Sequence, residues 1–239
     1  SKMKIGILSD IHGNYHALDT VLKHASKIGI EYFFVLGDLI GYYYQPEMVV
    51  RYIRKLPCTI IKGNHERMLK KILNKEIDIN TVRMKYGYGH ELALEKLSSE
   101  ELDWLIGLPD EEEVNIDGIC FKLCHGSPLS PDEYVYPDCS QEKLNQYLAS
   151  NHDCVFIGHS HYPFTYSYNG RLLVNVGSVG QSRDIGGLAC WGIFNTDNSV
   201  YISYRTPYNI SKLIEDIERY DYENDYLKSI LTRNRLDNF

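Results

Sequence analysis

Five times along the chain a short apolar run breaks into a tight turn that carries Asp, Asn or His beside a glycine. Leu8-Ser9-Asp10-Ile11-His12-Gly13 closes the first, Leu36-Gly37-Asp38 the second, and Lys62-Gly63-Asn64-His65-Glu66 the third. Leu123-Cys124-His125-Gly126 closes the fourth and Ile157-Gly158-His159-Ser160-His161 the fifth. A sixth turn, Asn175-Val176-Gly177-Ser178-Val179-Gly180, adds backbone freedom rather than ligands. Open α/β sheets bind ligands beyond the carboxyl ends of their strands. Glycine at such an end lets the backbone turn sharply and approach a site closely.

The surrounding pattern agrees with an α/β fold. Ile5 to Leu8 reads as a strand; Leu18, Val21, Leu22, Ala25 and Ile28 then recur at helical spacing, with Asn14 as N-cap and Gly29 as stop. Strands over Tyr32–Leu36 and Thr59–Ile61 flank a helix from about Pro46 to Lys55. This βαβαβ rhythm argues for a largely parallel sheet covered by helices. Residues 67–108 read as mainly helical, with Leu92, Leu94, Leu97, Leu102, Trp104 and Leu105 as core candidates. Strand-like runs follow at Ile119–Leu123, Val155–Ile157, Phe164–Tyr168, Leu172–Val176, Leu188–Phe194 and Val200–Tyr204, interrupted by a helix near Gln141–Ala149. Asn169-Gly170 between two such runs is a hairpin signal. The expectation is an α/β, four-layer α-β-β-α sandwich with two mixed β-sheets flanked by helices. It is read as one domain over residues 1–239 with a helical tail from about 209. Ser1-Lys2 before Met3 reads as a cloning remnant.

The five turns offer two carboxylates, one amide oxygen and four imidazoles: Asp10, His12, Asp38, Asn64, His125, His159 and His161. Hard oxygen mixed with borderline nitrogen suits Mn²⁺, Fe, Zn²⁺, Co²⁺ or Ni²⁺ better than Ca²⁺ or Mg²⁺. A carboxylate has two oxygens and can bridge ions about 3.5–4 Å apart. Singly, an Asp or His at a turn is more often a cap or a solvated side chain; the ordered set is what carries weight.

That set, D-x-H, G-D, G-N-H-E, H-G and G-H-S-H in order, resembles the signature of calcineurin-like metallophosphoesterases over about residues 3–205. Ser9-Asp-Ile-His-Gly-Asn14, Gly41-Tyr after Asp38 and Gly177-Ser-Val-Gly-Gln-Ser-Arg-Asp184 are similar to the small bacterial and archaeal phosphodiesterase subgroup. The resemblance implies one metal on Asp10, His12, Asp38 and His161, and a second on Asp38, Asn64, His125 and His159. It implies two divalent transition-metal ions, Mn first, and in-line attack on phosphorus by a metal-bridging hydroxide. His65 would be the catalytic residue, acting as general acid or transition-state stabiliser rather than as a ligand. The protein Ser/Thr phosphatase branch follows its bridging Asp with an Asp-Arg pair, whereas Asp38 here is followed by Leu39-Ile40-Gly41-Tyr42, which counts against a phosphoprotein substrate.

Other residues have plainer readings. Glu66 is explained by the helix N-terminus it opens. His16, His24, His90 and His152 fall outside the turns and receive no function; His24 lies off the apolar stripe of its helix and reads as solvated. Arg183 is placed either to hold a substrate phosphate bidentately or to form a surface ion pair with Asp184. Tyr42-Tyr43-Tyr44 reads as partly buried loop packing with wet hydroxyls, ahead of a base-stacking platform. Six cysteines without a CxxC pair read as free thiols in a reducing compartment. A formal net charge of −7 disfavours strong non-specific nucleic-acid binding. No apolar run is long enough to span a bilayer, so a cytoplasmic protein is expected.

The function expected is hydrolysis of a small phosphoester or nucleotide, as a phosphodiesterase. Phosphomonoesterase or protein phosphatase activity, or cleavage of a dinucleoside polyphosphate, stands second, and a non-catalytic metal-binding scaffold third. A homo-oligomer with the helical tail at its interface is compatible with the sequence.

Overall fold

The computed structural model describes residues 2–235; Ser1 of the expected remnant and the last residues of the expected domain lie outside them. In chain order the elements are β1 (Lys4–Leu8), α1 (Tyr15–Ile28), β2 (Tyr32–Val35), α2 (Pro46–Arg54), β3 (Cys58–Ile60) and α3 (Asn64–Leu73). Three more helices follow, α4 (Ile79–Tyr86), α5 (Gly89–Lys96) and α6 (Ser99–Ile106), then β4 (Glu111–Ile116), β5 (Ile119–Cys124) and α7 (Gln141–Tyr147). The remainder is β6 (Cys154–Ile157), β7 (Phe164–Tyr168), β8 (Arg171–Asn175), β9 (Leu188–Asn195), β10 (Val200–Pro207), α8 (Ile210–Tyr220) and α9 (Asp225–Ser229).

The strands form two five-stranded mixed sheets, ordered β10-β9-β1-β2-β3 and β4-β5-β6-β8-β7. The predicted βαβαβ unit is parallel from β1 to β3, and β9 and β10 extend the sheet antiparallel to it. Alternation along each strand divides the side chains between two cores. Ile5, Ile7 and Phe34 point from the first sheet to meet Phe121, Leu123 and Phe156 of the second. Phe34 and Phe121 ring centroids are 5.2 Å apart and Phe121 and Phe194 5.1 Å. Burying a ring of this size contributes about 2–3 kcal/mol. Phe33 and Val35 point the opposite way, into a core shared with Leu18, Val21 and Ala25 of α1 and Val49, Val50 and Ile53 of α2. Leu144 and Tyr147 of α7 cover the far face of the second sheet. The expected four layers are therefore present. Among the described residues no helix is long and apolar enough to cross a membrane.

Strand β4 escaped the sequence reading. Its Glu111-Glu112-Glu113 start has low strand propensity, yet it is an edge strand whose alternate residues face solvent. The signal was Asp117-Gly118, a hairpin turn joining it to β5. His24 is also not simply solvated: its Nδ1 lies 2.9 Å from Thr206 Oγ1 and its ring packs edge-on against Trp191 and Tyr204. The apolar stripe of α1 does not include it, but β10 supplies a polar partner beside that stripe.

Candidate metal centre

The turns after β1, β2, β3, β5 and β6 meet at one end of the paired sheets. They are laced together by backbone bonds: Asp10 N donates to Gly37 O, His12 N to Asp38 O, Gly158 N to His125 O and Gly180 N to Asp10 O, each at 2.9–3.0 Å. Asp10, His12, Asp38, His159 and His161 all have positive φ, between 52° and 68°. That region is uncommon for side-chain-bearing residues, and its gathering here marks a backbone shaped for the placement of side chains.

Each carboxylate spends one oxygen on the protein and turns the other inward. Asp10 Oδ2 accepts from Ser9 Oγ at 2.5 Å and His159 N at 3.0 Å, and Oδ1 lies 3.1 Å from His161 Nε2, 3.5 Å from His12 Nε2 and 3.8 Å from His125 Nε2. Asp38 Oδ1 accepts from His65 N at 2.9 Å, and Oδ2 lies 3.1 Å from His125 Nε2 and 3.7 Å from His12 Nε2. Asn64 Oδ1 is 3.0 Å from His125 Nε2. Asp10, His12 and His161 thus form one group of converging donor atoms and Asp38, His125 and His159 another. Asp38, through Oδ2, touches both.

The imidazoles are oriented from behind. Nδ1 of His12 faces Ile40 O at 3.1 Å, that of His125 faces Leu36 O at 2.7 Å, and that of His161 faces Gln181 O at 2.7 Å. A carbonyl only accepts, so each Nδ1 carries a proton; the Nε2 lone pairs of His12 and His161 then point inward, and that of His125 does so once its second proton leaves. His159 is reversed, its Nε2 donating to Asp132 O at 3.1 Å. His12 Nε2 and His161 Nε2 face one another at 3.1 Å. Two lone pairs opposed in this way repel, and a cation between them resolves the repulsion. The donor set and its tautomers fit divalent transition metals.

Charge tells the same story. Burial pushes the His125 imidazole down, but Asp38 and Asp10 outweigh burial and lift it to about 10. Burial raises the Asp10 and Asp38 carboxyls, yet His125 above all holds both below the usual carboxylate range. Burial lowers His161 to about 3, helped by the Arg183 charge, and His159 to about 4. Without metal, then, a proton on His125 partly offsets the two carboxylates.

Residues 3–199 match the calcineurin-like phosphoesterase superfamily domain. The chain belongs to that superfamily. An uncharacterized protein of Methanocaldococcus jannaschii is 35% identical over 235 residues, covering 90% of this chain and 92% of its own. A metallophosphoesterase from Sphaerobacter thermophilus superposes with a TM-score of 0.81 at 26% identity, over 97% of this chain and 98% of that one. A hypothetical protein from Pyrococcus horikoshii OT3 shares the fold, with a TM-score of 0.82 at 19% identity over 96% and 98% of the two chains. Membership of the calcineurin-like superfamily supports phosphoester hydrolysis assisted by divalent metal ions.

Around the centre of this metallophosphoesterase the remaining candidates fall into place or are corrected. His65 is buried, and one of its ring nitrogens lies within 4.8 Å of donor atoms of His12 and Asp38. Its Nδ1 is 3.1 Å from Nε2 of His90, with the rings stacked at 5.0 Å. His90, given no function from sequence, is fully buried, and burial lowers it to about 3. Glu66 is a capping carboxylate as expected, and more: Oε1 accepts from Asp38 N at 2.7 Å and Gly63 N at 2.9 Å, and Oε2 from Leu39 N at 3.1 Å, tying the second and third turns together.

Arg183 makes no pair with Asp184, because Arg205 takes that carboxylate at 2.5 Å. Its Nη2 instead donates to Tyr42 Oη at 3.2 Å and Gln181 Oε1 at 3.3 Å. The three tyrosines are more buried than expected and their hydroxyls are not wet: Tyr43 Oη donates to Leu227 O at 3.2 Å and Tyr44 Oη to Asp221 Oδ2 at 2.7 Å. The C-terminal helices α8 and α9 cover them. Tyr42 stands edge-on to His12 at 4.8 Å. Tyr134 was not singled out by the sequence reading; its ring stacks on His159 at 3.9 Å. No motif announces it, since a long loop delivers it.

Proposed function

We propose that this protein is a phosphodiesterase that works with two divalent transition-metal ions, Mn²⁺ foremost. The observation that carries the reading is Asp38 Oδ2, poised between imidazoles of both donor groups. Asp10, His12, Asp38 and His161 would hold one ion, and Asp38, Asn64, His125 and His159 the other. Bound there, the ions supply a water of lowered pKa and positive charge against the phosphoryl oxygens.

The chain's own residues do the rest. His65 lies beside the donor groups with its Nδ1 toward His90. Burial holds its ring well below the usual imidazole range, so it faces a leaving oxygen as a neutral imidazole that donates a hydrogen bond through its inward nitrogen. His90 holds the ring in place from behind. Arg183 presents a guanidinium on the His161 side of the centre. A diester carries one negative charge and a monoester up to two. Arg183 is an uncompensated guanidinium beside the donor groups, the nearby Arg67 is already met by Asp110 and Asp132, and Leu39-Ile40 stand in place of a charged pair, so the balance favours the diester. Phosphoprotein and monoester phosphatase activities rank below it for the same reason.

Metal-loaded protein should hydrolyse bis(p-nitrophenyl) phosphate. His65→Ala should lower kcat by about 10²–10⁴-fold, the range for loss of a general acid. Asp38→Asn should lower both metal content and turnover. Wild-type rates in both variants would refute the assignment.

A further inference from the structure

A cavity of about 500 Å³ opens beside the metal centre, walled by Tyr136, Tyr162, Arg183, Tyr226, Arg233 and Arg235. It adjoins the donor groups on two sides. Tyr162 directly follows His161, and Arg183 N donates to His161 O at 3.2 Å. Tyr136 stacks on Tyr134 at 6.0 Å, and Tyr134 stacks on His159.

The charge of this cavity is unusual for the chain. The sequence has 32 acidic and 25 basic residues, and several arginines elsewhere are engaged by carboxylates, Arg54 by Glu100, Arg67 by Asp110 and Asp132 and Arg205 by Asp184, while Arg171 is held by the carbonyls of Leu148 and Ser150; nowhere else among these do three gather at one cavity. Arg67 lines the cavity on the opposite flank of the centre, and its charge is thus already met. Among the described residues no carboxylate lies within ion-pair distance of Arg183, Arg233 or Arg235. Their partners are neutral. Arg235 Nη1 donates to Tyr162 Oη at 3.0 Å, and the Arg233 guanidinium lies over the Tyr226 ring at 5.7 Å. Arg233 Nη1 reaches Arg183 O at 3.5 Å, and Arg183 Nε is buried without a partner.

The arginines are placed by built structure. Arg235 N donates to Asp184 O and Gly186 N to Arg233 O, both at 2.8 Å, so the C-terminal segment is zipped to the loop that carries Arg183. Gathering three guanidiniums with no carboxylate among the described residues in ion-pair distance is unfavourable unless an anion completes the set, and guanidinium forks suit phosphate oxygens. Tyrosine rings beside them offer faces on which a base stacks.

We propose that this cavity is a second substrate subsite, which takes the distal phosphate and the base of a nucleoside oligophosphate whose reacting phosphorus lies at the Asp38 cluster. The subsite rests on the assignment of that cluster as the hydrolytic centre. Arg183 bridges the two, and Arg233 and Arg235 grip the outer phosphate. The acidic Asp138 at the same wall opposes the anion and limits its affinity.

The test compares binding of AMP with that of adenosine 5′-(α,β-methylene)diphosphate, which resists hydrolysis, to the metal-loaded full chain by calorimetry. The diphosphate analogue should bind roughly 10-fold or more tightly than AMP, and Arg233→Gln/Arg235→Gln should erase that preference. Arg233→Lys/Arg235→Lys should keep most of it, which separates lost charge from lost folding. Asp138→Asn should enlarge it, a change of sign that misfolding does not produce. Methylenediphosphonate without the nucleoside should bind more weakly than the nucleotide analogue, and equal binding would remove the stacking part of the proposal. No preference in the wild type, or a preference surviving in the Gln variant, would overturn the subsite even if bis(p-nitrophenyl) phosphate is hydrolysed. A clear preference in a protein that hydrolyses no ester would instead leave the subsite standing and sink the proposed activity.

Discussion

Gly63→Ala isolates the role of close backbone approach at the centre. Gly63 has φ −105°, which any residue adopts, so alanine meets no backbone strain there. A Cβ would overlap Asp38 Oδ1 and stand 2.7 Å from Asp38 Cγ and 2.8 Å from its backbone nitrogen. Carbon atoms in contact rest at about 3.5–4.0 Å, so Asp38 must retreat by roughly 1 Å. The bond from His65 N to Asp38 Oδ1 at 2.9 Å cannot survive that shift. Overpacking of this kind costs about 1–3 kcal/mol. Disturbing the support of a metal ligand lowers affinity about 10–100-fold, and a 1 Å misplacement lowers turnover about 10²-fold. Metal titration by calorimetry, hydrolysis of bis(p-nitrophenyl) phosphate and urea unfolding measure the three effects. Gly29→Ala is the control: φ is +85° with no atom within 4 Å of a Cβ, so it should lose on the order of 1 kcal/mol of stability and leave metal and turnover alone. Wild-type metal affinity and turnover in Gly63→Ala would show that Asp38 does not depend on the narrow passage beside it.

His90→Leu removes the ring partner of His65 at similar volume; kcat should fall roughly 10-fold with KM and metal content held, and His90→Gln, which still reaches with an amide, should recover part of it. A fall in metal content with equal loss in both variants would make His90 merely structural. His125 stands at about 10 without metal, so at pH 7 it is protonated and binding must expel that proton; Mn²⁺ affinity should rise about tenfold per pH unit between 6.5 and 8.5, and a flat profile would contradict the role of His125. Stability of the metal-free chain follows from the signs of the shifts. His90, His159 and His161, held at about 3, 4 and 3, resist protons that the unfolded chain takes up below about 6.5, so they lose stability as pH falls. Raised Glu66, at about 7, works against them, and raised His125 loses its contribution as pH climbs toward 10. His65, which burial also holds well below the usual imidazole range, joins the three lowered histidines, so with four groups against one on the acid side urea midpoints should be highest near pH 7; a midpoint still rising at pH 5 would reverse the argument.

The gathering of the candidate site is legible because the ligand types sit at strand ends and glycines mark where the chain must turn tightly. Each of the five turns is local: an apolar run, a glycine and a ligand lie within a few residues, so sequence order records spatial order. Asn14 and Gly29 were readable for the same reason, since a cap needs only its own helix; the Asn14 side chain accepts from Ala17 N. What stayed hidden depends on encounters between distant segments. His90 meets His65 because α5 packs beside the turn holding it, 25 residues earlier. Tyr134 reaches His159 from a loop with no periodicity, and Arg233 and Arg235 reach Arg183 only after the tail folds back. The tyrosines were read as wet because their partners, Leu227 and Asp221, belong to that same tail. The Arg183–Asp184 pair looked natural from adjacency, but Arg205 on the neighbouring strand β10 reaches the carboxylate instead.

The two kinds of information also divide the labour between stability and function. The cores between and outside the sheets are apolar and lie behind the turns, and the turns are fixed chiefly by backbone bonds from one to the next. Left-handed backbone at Asp10, His12, Asp38, His159 and His161 costs on the order of 1 kcal/mol per residue, and those cross-turn bonds are what hold it. Without a cation the inward attraction rests on protonated His125 against Asp10 and Asp38, and His12 facing His161 is repulsive. Among the candidate ligands, His12 or His161 is therefore the side chain the fold can most easily lose. Truncating it relieves crowding while removing chemistry, whereas altering the glycine or Glu66 behind it disturbs the frame that every ligand shares.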